Sequence, residues 1–147
     1  MTFTEARALL ETYLNTNWTQ TPIVWQNVED IDFSAPGQPL LSEGQSPFIS
    51  IEIFVHTSET ITVPGSCIRY PGTLEFGVYA KEGTGARSTS SFTDSLISLF
   101  ENKTLGVAPN TIRVRNITTT ETYTEENGWF VQLIGFSMYF ERFISQP

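Results

Sequence analysis

The residues Gly83-Thr84-Gly85-Ala86-Arg87-Ser88 have the composition of a phosphate cradle. They stand between a strand-like segment ending in Val78-Tyr79-Ala80 and a helix-like segment ending in Phe100. A Walker A loop places four residues between its glycines and follows them with Gly-Lys-Ser/Thr. The backbone N–H groups wrap the phosphates, the lysine meets the outer ones and the hydroxyl holds magnesium. Here one residue separates the glycines, and Arg87-Ser88 follows where a lysine is required. A dinucleotide fingerprint needs a third glycine three residues beyond the second, and Ser88 stands there. The loop therefore reads as a strand-to-helix turn. Gly83 and Gly85 supply backbone freedom, and Ser88 or Thr89 caps the helix. A small-ligand or nucleotide-binding enzyme built on Gly83 and Gly85 stays as the alternative of another class.

Other chemistry has few residues to work with. His56 is the only histidine and Cys67 the only cysteine. That leaves zinc and iron without a ligand set and excludes an intrachain disulfide. His56 lies on the polar side of an alternating segment, where a surface role is expected. A Ser-His-Asp site would have to use it, yet the chain has no Gly-x-Ser-x-Gly elbow. Cys67 is expected as a small residue in or beside a strand, and a Cys67–His56 pair would need adjacent strands. Glu52 and Glu75 could face each other on neighbouring strands, as a glycosidase pair or as two acids on a solvated face. Arg113 and Arg115 form a small basic spot, expected to be a salt-bridging strand face. No catalytic residue, cofactor or metal site is expected.

The 147 residues suit one domain with a real core. Charged residues are 16% of the chain and aromatics 13%, which argues for a folded globular protein and against disorder. Net charge is −8, and its spread is uneven. Residues 1–66 carry eight acids (Glu5, Glu11, Glu29, Asp30, Asp32, Glu43, Glu52 and Glu59) against one base, Arg7. Such a surface repels nucleic acid and anionic membranes. It remains compatible with a surface that DNA slides past. No basic segment followed by an apolar run opens the chain, and no apolar stretch reaches spanning length. Cytoplasmic synthesis and no membrane partner are therefore expected.

The elements follow from periodicity. Thr2 and Glu5 form a capping box, and Phe3, Ala6, Leu9, Leu10, Tyr13 and Leu14 recur at helical spacing. A short strand is expected over Thr21-Pro22-Ile23-Val24-Trp25. Residues 27–47, with Pro36, Pro39 and Pro47, are longer than a compact domain needs for a loop and read as an arm or interface loop. Phe48 to Thr57 alternates strictly, as a half-buried strand does. Ile68 to Ala80 forms the next strand, with a bulge expected at Pro71-Gly72. A helix is expected from about Thr89 to Asn102, closed off by Asn102 and then Gly106, Pro109 and Asn110. A strand from Ile112 towards Tyr123 follows, then an Asn127-Gly128 hairpin turn and a long strand from Trp129 to Phe143. That last strand is apolar on both faces, so it is central or covered by a partner subunit. The fold class is α+β, a mainly antiparallel sheet with two helices packed on one face.

This pattern resembles the tail terminator, or tail-completion, proteins of long-tailed bacteriophages. The resemblance is carried by Phe3-Thr4-Glu5-Ala6 in the first helix, Thr21-Pro22-Ile23-Val24-Trp25, the Gly72 strand ending in Val78-Tyr79-Ala80, Gly83-Thr84-Gly85 before a helix ending in Phe100, and Gly128-Trp129-Phe130-Val131. It spans nearly the whole chain, and order and spacing carry it. The Thr-rich segment 118–124 departs from the pattern, as an insertion or a longer hairpin. The resemblance implies a virion protein of the head–tail junction without a catalytic site. It implies a homo-oligomeric ring, typically a hexamer, on the end of the tail tube. That ring stops tube growth and docks the head, so its partners are the major tail tube protein and a head-completion or connector protein. DNA passes through the centre without specific binding. Glu29, Asp30, Asp32, Glu43, Glu52 and Glu59 are the candidate lumen or rim acids. Another head–tail joining or minor tail protein is the nearer alternative.

Overall fold

The computed structural model describes residues 1–25, 47–56, 58–60, 67–81, 86–124 and 128–143. Helix α1 (Phe3–Asn17) starts at the expected capping box: the Glu5 N–H donates to Thr2 Oγ1 at 3.1 Å, and the Thr2 N–H donates to Glu5 Oε2 at 3.2 Å. Its stripe of Ala6, Leu10 and Leu14 is buried. Strands β1 (Ile23–Val24), β2 (Phe48–Val55), β3 (Glu59–Thr60) and β4 (Cys67–Lys81) follow. Helix α2 (Ala86–Phe100) comes next, then β5 (Thr104–Val107), β6 (Asn110–Thr124) and β7 (Trp129–Phe143).

The strands form one sheet in the order β1-β2-β4-β7-β6-β5, with β3 also paired to β4. The α+β class holds, but the expected mainly antiparallel sheet is in fact mixed, because β1 runs parallel to β2. A parallel neighbour needs a long crossover, and residues 25–47 are long enough to supply one. The proposed interface loop at 27–47 thus has a topological reason for its length; its conformation lies outside the described residues for 26–46. Strand β7 is central, between β4 and β6, which explains its two apolar faces.

Three further expectations change. No bulge interrupts β4 at Pro71-Gly72: its register with β7 is continuous from Cys67–Phe143 to Lys81–Trp129. The Pro71 carbonyl accepts from the His56 N–H at 2.8 Å, so the ring nitrogen also points to the side where β2 runs out and needs no donor. Helix α2 lies three residues earlier at its start than Thr89 and ends at Phe100. Gly106 and Pro109, read as a helix stop, instead belong to a hairpin of β5 and β6 that the periodicity missed. Gly106 has φ +89°, and a Cβ there would lie 2.5 Å from the Asn110 carbonyl oxygen.

Both helices share one face of the sheet. Leu10 and Leu14 of α1 and Leu96 and Phe100 of α2 pack with Ile49, Ile51, Leu74, Phe76, Val78, Ile134, Phe136 and Phe140. Phe100 is 4.8 Å from Phe76 between ring centroids, so α2 seats directly on the central strands. The Tyr13 hydroxyl donates to the Leu99 carbonyl at 2.7 Å and ties the two helices together.

Candidate functional site

With the described helices on one face, the period of two sends every other strand residue to the opposite face, helix-free among the described residues. Three zones succeed one another there. At one end Phe48 stacks on Tyr79 at 4.5 Å and meets Trp129 edge-on at 5.1 Å, around buried Val131. In the middle, the register sets Glu52 opposite Glu75, and Glu75 opposite Gly135. Glu121 lies on β6 opposite Leu133, one row away. At the other end Arg69, Arg113 and Arg115 gather about Tyr139 and Glu141.

In the acidic zone burial and like charge both act against one carboxylate. Burial pushes the Glu75 carboxyl above the ordinary carboxylate range, and the charges of Glu52 and then Glu121 push it further the same way. Glu52 is exposed beside it. The pairing anticipated for Glu52 and Glu75 is therefore present. They are direct cross-strand neighbours on one face of the sheet, whereas the two carboxylates of a glycosidase flank its scissile bond. What they produce together is a concentrated negative field over the centre of the face.

The basic zone is built differently from the salt-bridging face expected of Arg113 and Arg115. Among the described residues neither forms an ion pair. Instead the Arg115 guanidinium lies 5.3 Å from the Tyr139 ring centroid and donates to its hydroxyl at 3.2 Å. Arg69 lies 4.1 Å over the same ring and pairs with Glu141 at 2.7 Å. Sequence spacing could not find Arg69 or Tyr139, because strands β4, β6 and β7 meet only after folding.

The other single residues stay apart. His56 is exposed, with Nε2 3.2 Å from Thr73 Oγ1. Cys67 is buried at the start of β4, where its thiol donates to Glu141 Oε2 at 3.6 Å. Burial first, then the neighbouring Glu141 charge, pushes that thiol up. The chain does not bring Cys67 and His56 together. Among the described residues no group of three or more His, Cys, Asp or Glu could hold a metal ion, and no helix is long and apolar enough to cross a membrane. Gly83 and Gly85 lie outside the described residues, as do Glu29, Asp30, Asp32 and Glu43. For Glu59 only its backbone place in β3 is described.

The described helices thus back a sheet whose opposite face carries aromatic, acidic and basic zones in turn. The model of the phage tail terminator protein family matches residues 5–134, and the chain belongs to that family. It is thus a structural protein of the bacteriophage tail. None of the curated proteins matches the sequence. One solved structure, 19% identical, superposes with a TM-score of 0.69 and covers 99% of this chain and 99% of that one, a likeness of fold.

Proposed function

We propose that copies of this chain close into a ring, a hexamer, that caps the tail tube of a long-tailed phage. The ring stops tube polymerisation and gives the head-completion or connector protein its docking surface at the head–tail junction. The whole chain acts as one terminator domain, with 27–47 as an interface loop, and it performs no catalysis.

The observation that carries this reading is the helix-free face with Glu52, Glu75 and Glu121 at its middle. Facing the bore, it sets like charge against the DNA backbone, so the phosphates stay hydrated and unbound. A basic wall would hold them by releasing counterions. In this reading Glu29, Asp30, Asp32, Glu43 and Glu59 are, with Glu52, the candidate lumen or rim acids.

Electron microscopy of purified protein, alone and with assembling tail tubes, tests the reading. Closed rings on tube ends, with tube length arrested, are the expected result. A strict monomer that leaves tubes growing would overturn it. The bore assignment has its own test: Glu52→Lys with Glu121→Lys is expected to leave folding intact and to slow DNA release. A ring with this face on its outer wall would sink that assignment alone.

A further inference from the structure

Strand β6 is twice exposed. On one side it pairs with β7 over its length. On the other, β5 covers only Asn110 to Arg113, and two hydrogen bonds carry the pairing slightly on: Val114 N–H to the Lys103 carbonyl at 2.8 Å, and Asn102 N–H to the Arg115 carbonyl at 3.2 Å. From Asn116 to Thr122 no strand among the described residues lies beside it. Thr118 to Thr122 are all exposed.

Free edges are normally blunted, because their unpaired N–H and C=O groups template pairing with another chain. Lysine, proline and bulges are the usual devices. Residues 116–124 read Asn-Ile-Thr-Thr-Thr-Glu-Thr-Tyr-Thr, with no lysine, arginine or proline. The register irregularities lie between Val114 and Thr119, and from there to Thr124 β6 and β7 pair one for one. The edge is therefore irregular from Asn116 to Thr118 and regular from Thr119 onward. Its β-branched threonines favour extended backbone and form neutral cross-strand pairs.

We infer that the β6 edge, Thr119 to Thr122, is a strand-pairing surface, and that its occupant is a strand of a second copy of this chain. This rests on the ring reading. A cyclic ring needs heterologous contacts, in which one surface meets a different surface of the neighbour. Pairing of β6 with β6 would instead close a two-fold dimer and stop. The partner strand therefore comes from another part of the adjacent copy, and the sheet continues across the subunit boundary.

Amide hydrogen exchange on the full chain, dilute and assembled, tests this. Along a strand alternate amides point outward, so the expected result is that the outward amides among Thr119–Thr122 slow by about tenfold or more on assembly. Thr120→Pro and Glu121→Pro provide a second measurement. One removes an N–H facing β7 and destabilises the fold; the other removes an outward N–H, stays folded by circular dichroism and fails to form rings. Rings whose 119–122 amides exchange as in the monomer overturn this inference and leave the ring reading standing. So does a β6–β6 dimer, or protection that arises only when tail tube protein is added. No ring under any condition overturns both.

Discussion

Glu52 and Glu75 stand directly opposite each other on β2 and β4, two acids in one cross-strand row of the helix-free face. Like charges in that position oppose folding by about 0.2–1 kcal/mol. Because the folded-state pKa of Glu75 is raised, the native chain binds more protons than the unfolded chain just above the ordinary carboxylate range. Stability therefore falls as pH rises through that window and returns on acidification. Glu75→Gln is expected to stabilise the isolated chain at neutral pH by roughly that 0.2–1 kcal/mol, with the gain shrinking below the carboxylate range. Denaturant melts across pH check this; a variant less stable at neutral pH would refute it.

Tyr13→Phe removes the 2.7 Å bond to the Leu99 carbonyl while keeping the ring against Phe100. The expected cost is about 1 kcal/mol. Burial raises the Tyr13 phenol pKa, so ionisation at high pH favours the unfolded chain, and stability falls as pH climbs past the usual tyrosine value. The Phe variant should lack this part of the alkaline loss in the same melts.

Phe76, Phe100 and Phe136 are fully buried where α2 meets the central strands. Phe76→Ala is expected to cost about 3–5 kcal/mol through lost burial and the cavity left behind. A thermal midpoint within a few degrees of the parent would count against this core.

Cys67 is buried with its thiol raised, so it should react far more slowly with a disulfide reagent in the native chain than after unfolding. Glu141→Gln removes the smaller of the two main causes and should quicken the reaction only modestly. Reaction at the unfolded rate would contradict the burial.

Local chemistry made several elements legible. The Thr2–Glu5 box announces α1, and the Ile49-Ile51-Ile53-Val55 alternation announces β2 with the correct side inward. Strands β6 and β7 are antiparallel neighbours, and Gly128 of the expected Asn127-Gly128 turn has φ +89°; Asn127 itself lies outside the described residues. Strand β5 was not legible, because a four-residue strand holding Gly106 has too short a pattern to separate from a helix stop. The fate of Pro71 was equally hidden, since a proline reads as a break until the neighbouring strand is known to end beside it.

By itself the sequence determined where both described helices and most of the strands form, which side of each of these turns inward, and an acidic chain with little catalytic equipment, because periodicity, capping and composition are properties of neighbouring residues. Only the tertiary structure decided that β1 runs parallel to β2, that β7 is central, that Glu75 sits between Glu52 and Glu121, and that Arg69 and Arg115 meet over Tyr139. Those relations join residues tens of positions apart. They depend on strand order and register, which arise from the packing of the whole sheet against its two helices and leave no local mark in the chain.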